Sequence, residues 1–419
     1  MKNIKEKIIS ICRSSLVASK NLSETKNSER NKALRIIAKN LIKNKSYILM
    51  QNKRDLEKAK EENLPKYLLD RLLLNESRII SMCEDIINIA KLKDPLGIIL
   101  DTKIRPNGLK ISKVTVPLGL IAVIFESRPN VASDVAALCI KSGNGVILKG
   151  GKEAKFTTES IIKIIKNSLK ESGIDHKAIT SLDDYSRKSV NILLKMDKYI
   201  DVLVPRGGKS LIENVKKNSN IPIFSHLDGI CHTYIDSFAK KSMAVDVTLN
   251  AKMRRTSICG ATETILCHKK VVKSVLPSLI NKLIKSGCKV KAEREIKNLN
   301  KNIFPVKKED WSTEYLDAVV SIKVVNSLEE AIEHINNYSS GHTDAIITEN
   351  NEVAKTFFKS INSAIVMQNT STQFADGAEF GLGAEIGIST GKLHARGPVS
   401  VSELTTYKYI VRGKGQIRK

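Results

Sequence analysis

Gly119-Leu120-Ile121-Ala122-Val123-Ile124-Phe125 decides the fold. The run carries no charge, is far too short to cross a bilayer, and reads as a strand buried on both faces, as a parallel sheet requires. Arg128-Pro129-Asn130 then reads as a turn, Val131 to Ser142 as a helix, Gly145 to Lys149 as a second strand and Phe156 to Ser168 as a second helix. Tyr199 to Val204 is a further strand, and after Pro205-Arg206-Gly207-Gly208-Lys209-Ser210 a helix runs through Val215. Such alternation is the doubly wound α/β pattern, with ligand loops expected where the strands end.

On the N-terminal side, Lys5 to about Ala90 reads as helical. Ala33, Leu34, Ile36, Ile37, Leu41 and Ile42 recur at the three- and four-residue spacing of one buried face. Ser28 reads as a helix cap, and Pro65 opens the next helix. Ile98 to Arg105 and Leu109 to Val116 read as two strands joined by Pro106-Asn107-Gly108, where Asn-Gly is a strong hairpin signal. That hairpin has no obvious core of its own.

Towards the C-terminus, Ile221 to Phe224, Cys231 to Ile235, Asp317 to Val325 and Ala364 to Gln368 read as strands, and Gly341 to Ile347 as a turn and strand. Ser242 to Lys252, Val271 to Lys285 and Ser327 to Asn336 read as helices, the last opened by Ser327 and Glu330 at capping-box spacing. Phe374 to Gly397 is dense in small residues, a long irregular segment of the functional or mobile kind. Val399 to Arg412 reads as a last helix or an extended tail.

A chain of 419 residues has room for two or three domains. Hydrophobic residues at 42% and charged residues at 27% describe an ordinary globular protein. Met1 to Ser10 mixes Lys2, Lys5 and Lys7 with Glu6, which makes a poor signal peptide. The seven cysteines are odd in number and show neither CxxC nor metal-type spacing, so no metal site and a reducing cytoplasm are expected. The net charge of +25 raises nucleic-acid binding as a function class. Its cations are scattered through the helices, however, and a single Trp leaves no aromatic interleaving to stack bases. The excess therefore reads as solvated helix faces whose field favours anionic ligands.

Chemistry concentrates in Met253-Arg254-Arg255-Thr256-Ser257-Ile258-Cys259-Gly260, where Lys252, Arg254 and Arg255 precede a cysteine beside a glycine. Nearby cations favour the thiolate, and the glycine lets a substrate come close. By themselves the residues leave Cys259 open between a nucleophile and a buried small hydrophobe. Lys149-Gly150-Gly151-Lys152 likewise reads as a nucleotide contact or as an ordinary basic turn. Gly207 and Gly208 open a helix, which suits phosphate binding. Gly208-Lys209-Ser210 mimics the end of a P-loop, but the first glycine of that motif would fall at Leu203. No GxGxxG follows a strand. In the irregular segment Arg396 offers a fork for a carboxylate, or belongs to a lid that satisfies itself.

Met253 to Thr264 resembles the nucleophile segment of the γ-glutamyl phosphate reductase family, within the aldehyde dehydrogenase superfamily. The resemblance continues through Pro117 to Val131, Gly341 to Ile346, Gly383 to Thr390 and His394-Ala395-Arg396-Gly397-Pro398. It implies an aldehyde dehydrogenase-like fold in three parts. These are a Rossmann-like cofactor domain over 1–97 and 118–235, an α/β catalytic domain over 236–400, and a small β oligomerisation element made of the hairpin and tail, 98–117 and 401–419.

The activity implied is NADPH-dependent reduction of L-glutamyl 5-phosphate to L-glutamate 5-semialdehyde, in proline biosynthesis, through a thioester on Cys259. Asn130 and the Cys259 backbone N–H are the implied oxyanion donors. Lys149, Gly150, Gly151, Lys152, Pro205, Arg206, Gly207, Gly208 and Glu314 are the cofactor candidates, and Arg128, Arg255 and Arg396 the substrate candidates. Lys152 stands where NAD-preferring members carry a glutamate, which leans towards NADP. His226-Leu227-Asp228-Gly229 replaces the Glu-Leu-Gly-Gly segment of hydrolytic members, whose glutamate activates water. Its loss suits a reaction that must not hydrolyse its thioester, although Asp228 is itself a carboxylate. A homo-oligomer is implied, with the upstream glutamate kinase as a further partner and neither nucleic acid nor membrane.

Overall fold

Leu120–Phe125 is a strand with all six residues buried. In the computed structural model, which describes residues 2–225 and 227–418, it is an inner strand of a four-stranded parallel sheet. The order is Ile179–Ser181, Gly145–Lys149, Leu120–Phe125, Val202–Arg206. The strand expected to stop at Val204 runs on through Pro205, opposite Ile124, and Arg206, opposite Phe125. An edge strand tolerates a residue without an N–H, which is why the proline does not end it.

Five helices, Lys2–Glu24, Asn27–Lys43, Lys45–Glu61, Lys66–Leu72 and Glu76–Lys91, precede this sheet. Ile8 and Cys12 of the first pack against Leu120, Ala122, Ile147 and Leu203. The second begins at Asn27 with Lys26 at its cap, not Ser28, because the Glu29 carboxylate reaches back to the Lys26 N–H. Two buried cations tie these helices together. Arg30 gives Asp94 two hydrogen bonds, at 2.8 and 2.9 Å, and a third to the Lys141 carbonyl. The Lys141 ammonium donates to Asn27, Asn31 and the Ala90 carbonyl, and desolvation pulls its pKa down to about 8.

The hairpin forms as Ile99–Ile104 and Lys110–Pro117. Gly108, at φ +84, takes the left-handed position that closes the turn. The tail is a strand: Thr405–Arg412 pairs antiparallel along the hairpin from Pro117 to Lys110. No core of its own is needed, because ladder hydrogen bonds hold it. The three-stranded sheet leaves Ile99, Ile104, Tyr409 and Val411 exposed. All these elements belong to one unit, Met1–Ser225 with Gly381–Gly387 and Val399–Lys419.

The second unit, His226–Phe380 with Ile388–Pro398, is built on a seven-stranded parallel sheet. Its order is Phe304–Pro305, Lys289–Ala292, Val319–Val325, Thr262–His268, Cys231–Ile235, Thr343–Ile347, Ile365–Gln368. Helices Lys241–Met253 and Val272–Lys285 contribute Ala244, Val245, Val275, Leu276 and Leu279 to an apolar cluster against it. Ser327 caps Leu328–Tyr338 through the Glu330 N–H, while the Glu330 carboxylate reaches the Asn326 N–H rather than that of the cap. The strand expected at Ile221 to Phe224, in the first unit, is a single bridge from Ile223 to Leu203. Among the described residues no helix is long and apolar enough to cross a membrane.

Candidate active site

In the first unit the candidate residues gather where strands of the parallel sheet end. Lys149 closes Gly145–Lys149 and is only 3% exposed; its ammonium donates to the Gly150 carbonyl at 3.0 Å and lies 5.1 Å from the Tyr185 ring centroid. Desolvation lowers its pKa. Lys152 is exposed instead and pairs with Glu62 at 3.1 Å. Gly151 sits against the Glu153 carboxylate, which accepts the N–H and hydroxyl of Ser127 at 2.5 and 2.9 Å. Ser127 has φ +46, a left-handed residue held in place by that carboxylate just before Arg128.

Gly208 caps the helix Lys209–Asn218, as a phosphate cradle would, but its N–H donates to the Glu126 carboxylate at 2.9 Å. A Cβ on Gly207 would lie 2.4 Å from the same oxygen. The chain thus supplies its own anion at the helix N-terminus, and Glu126 is a residue that sequence reading missed. Pro205 and Arg206 lie inside the strand rather than in the loop, and the Arg206 guanidinium packs against Gly387. Asn130 donates to Asp134 at 2.9 Å. Desolvation, with Asp85 nearby, raises the Asp134 carboxyl to about 7 against the pull of Asn130 and Ser133. Arg128 is half-buried in the turn.

In the second unit the candidate residues lie where strands begin. Cys259 is on the loop between Lys241–Met253 and Thr262–His268. All seven cysteines are free thiols; six are buried and Cys259 is half-buried. Burial pushes Cys12, Cys267 and Cys288 up to about 12 and Cys83 to about 11, where the reactive thiolate is scarce. The Cys259 backbone is gripped from the neighbouring strand. Cys231 donates its thiol to the Cys259 carbonyl at 3.1 Å, and a Cβ on Gly229 would lie 2.3 Å from that same oxygen. Hydroxyls of Thr233, Thr262 and Thr372 run in a chain of 2.7 and 3.0 Å beneath the loop.

The three cations that precede Cys259 have different surroundings. Lys252 is buried against Glu263 at 2.5 Å, Arg254 reaches Gln373 at 3.4 Å, and Arg255 is exposed. Arg254 helps to line a cavity of about 520 Å³ together with Asp246, Asn250, Ser371, Gln373 and Phe374. Glu314 accepts the Gly229 N–H at 2.9 Å, which brings this cofactor candidate into the packing around Cys259. Arg396 gives both ends of its guanidinium to Asn362. Asp228 stands next to Gly229, and His226 lies outside the described residues. No three His, Cys, Asp or Glu side chains among the described residues are grouped as a metal would need.

The sequence model of the aldehyde dehydrogenase family matches residues 2–297 and 304–408. The chain is 48% identical over 411 residues to γ-glutamyl phosphate reductase of Rhodospirillum rubrum, covering 98% of this chain and 96% of that one. It is 47% identical over 401 residues to the enzyme of the same name from Paramagnetospirillum magneticum, covering 96% and 95%. The crystal structure of γ-glutamyl phosphate reductase from Thermotoga maritima superposes with a TM-score of 0.95 at 40% identity, covering 98% of this chain and 99% of that one.

Proposed function

The chain belongs to the aldehyde dehydrogenase family, and from that premise we propose that it reduces L-glutamyl 5-phosphate to L-glutamate 5-semialdehyde with release of phosphate, a step of proline biosynthesis. Both the identity to reductases of that name and the resemblance of Met253 to Thr264 support this substrate. The observation that carries the chemistry is Cys259 itself, the one half-buried thiol of seven, on a loop whose backbone is held on two sides.

The Cys259 thiolate attacks the acyl carbon, the C–O bond to phosphate breaks, and phosphate leaves with the electron pair, giving a thioester. NADPH, when bound, supplies the reducing equivalent that returns the thioester to aldehyde and free thiolate. The candidate oxyanion donors are, in the second unit, the Cys259 backbone N–H and, in the first, the Asn130 amide, which has a second N–H beyond the one on Asp134. A thioester survives only if water is not activated beside it. A segment in which His226 stands where hydrolytic members carry the basic glutamate suits that need.

Residues of the first unit fit a nicotinamide dinucleotide. Lys149 to Lys152 and Gly207 to Gly208 follow the ends of two strands that both flank Leu120–Phe125, the crevice where open α/β sheets take nucleotides. Lys152 would turn from Glu62 to a 2′-phosphate; an exposed ion pair gives little resistance to that exchange. Pro205, Arg206 and Glu314 complete the cofactor candidates. Arg128, Arg255 and Arg396 remain those for the substrate, with Arg396 first having to release Asn362.

A cytoplasmic homo-oligomer is part of the same reading, with the three-stranded sheet and its exposed Ile99, Ile104, Tyr409 and Val411 as the subunit contact. Removal of residues 405–419 should shift its sedimentation towards monomer, and an unchanged oligomer refutes that contact. The upstream glutamate kinase, which makes the labile acyl phosphate, is the proposed further partner.

The decisive assay is NADP reduction with L-glutamate 5-semialdehyde and phosphate. Wild type should turn over, and Cys259→Ser should lose on the order of 10³-fold or more in rate while binding NADPH within about twofold. Substantial turnover by the variant overturns the nucleophile. Wild-type turnover with coenzyme A but not with phosphate overturns the substrate.

A further inference from the structure

Two charges close the base of the nucleophile loop, and the reaction as written uses neither. Lys252 lies in the last turn of Lys241–Met253, and Glu263 is the second residue of Thr262–His268. Between them runs the loop that carries Cys259. Their side chains are 0% and 1% exposed, with Nζ 2.5 Å from Oε2. An apolar pair of the same volume would serve stability as well or better, since each buried ion loses its hydration. What the pair adds beyond stability is direction. A charge pair fixes a distance and an angle, where apolar contacts fix only a volume.

Glu263 has a second oxygen, and it reaches further. Its Oε1 accepts the Leu316 N–H at 3.3 Å. Leu316 is left-handed, at φ +52, with a large apolar side chain that is 37% exposed. Nothing about such a side chain favours that conformation, and the Glu263 carboxylate holds the N–H of the residue that adopts it. Two residues earlier Glu314 accepts the Gly229 N–H at 2.9 Å, and Gly229 lies against the Cys259 backbone. The Lys252 ammonium also lies 5.9 Å from the Tyr315 ring, whose hydroxyl is held by Asp310 and Ser321 at 3.0 and 2.7 Å. One carboxylate is thus joined to the helix before Cys259, to the strand after it, and to the segment that fixes Gly229.

We propose that the buried Lys252–Glu263 pair is a positioning clamp that sets the two ends of the nucleophile loop and the Glu314–Leu316 segment in one register, so that Cys259 presents its sulfur in a single orientation. The clamp rests on the reading of Cys259 as nucleophile. Neither residue of the pair touches substrate; both act through the loop.

The test is the double variant Lys252→Met/Glu263→Gln. It removes both buried charges, keeps an acceptor for the Leu316 N–H, and should restore most of the melting temperature lost by either single variant. The clamp predicts that kcat in the semialdehyde assay stays about tenfold or more below wild type with KM within about twofold, and that iodoacetamide alkylates Cys259 correspondingly more slowly. A double variant with wild-type kcat and alkylation rate overturns it. If the double variant does not fold, Lys252→Arg takes over with the same readouts, because it keeps both charges and alters only their geometry; wild-type kcat there overturns the clamp. Failure of the underlying reading looks different: an active Cys259→Ser removes nucleophile and clamp together, whereas an inactive Cys259→Ser beside a fully active double variant removes the clamp alone.

Discussion

The two parallel sheets carry their candidate residues at opposite ends of their strands. In the four-stranded sheet the candidate residues follow Phe125, Lys149 and Arg206, at carboxyl ends, as doubly wound sheets lead one to expect. In the seven-stranded sheet Gly229, Cys259 and Glu314 all precede strands, at amino ends. The carboxyl-end loops end in flexible side chains, Lys152 on Glu62 and Glu126 on Gly208, which can exchange partners. Around Cys259 the contacts are to backbone: a thiol and a glycine on its carbonyl, and a carboxylate on the glycine's N–H. The loops proposed to accept and release a large ligand are held by exchangeable contacts. The sulfur proposed as nucleophile sits on a loop held by fixed ones.

Paired glycine substitutions bring out that contrast with the largest expected effect. Gly229→Ala puts a methyl 2.3 Å from a backbone oxygen that cannot swing aside, and should lower kcat by on the order of 10²-fold. Gly207→Ala meets the ends of two side chains, Glu126 at 2.4 Å and Leu211 at 2.7 Å, and should change cofactor affinity by about threefold or less, because both side chains can rotate away. Steady-state assays and cofactor titrations on both variants decide; equal losses would erase the distinction between fixed and exchangeable contacts.

A smaller effect tests the exchangeable side alone. Lys152→Ala should weaken NADPH by about fivefold to tenfold and leave NADH nearly unchanged, since one exposed charge-assisted contact to the 2′-phosphate is lost. Lys149→Ala, which removes the buried ammonium beside Gly150, should weaken both cofactors. Nucleotide fluorescence titrations giving Lys152→Ala the same factor for both would show that this loop does not read the phosphate.

The smallest expected effect is on stability. Asp134 has its carboxyl raised from 3.8 to about 7, chiefly by desolvation. The folded chain therefore keeps a proton that the unfolded chain has released, and this group's contribution to stability falls as pH rises from about 4 to about 7. Asp134→Asn removes the dependence, so its gain in melting temperature over wild type should be larger near about pH 8 than near about pH 5. A gain that is the same at both pH values would show that the carboxyl titrates normally.

What the sequence determined by itself is what neighbouring residues can decide. An unbroken apolar run makes Leu120–Phe125 a buried strand, Asn107-Gly108 turns a hairpin, and Ser327 caps a helix. Each follows from steric limits or hydrogen bonds spanning a few residues, and each leaves a local trace. The family was legible for the same reason, since Met253 to Thr264 is one continuous signature. Tertiary structure decided the rest: Glu126 on Gly208, 82 residues away, Glu263 on Leu316, 53 residues away, and Glu314 on Gly229, 85 residues away. It also made a strand of the tail, by pairing Thr405–Arg412 with Lys110–Pro117. A carboxylate has no periodicity to announce its partner, and a strand at a sheet edge takes its identity from the ladder it joins.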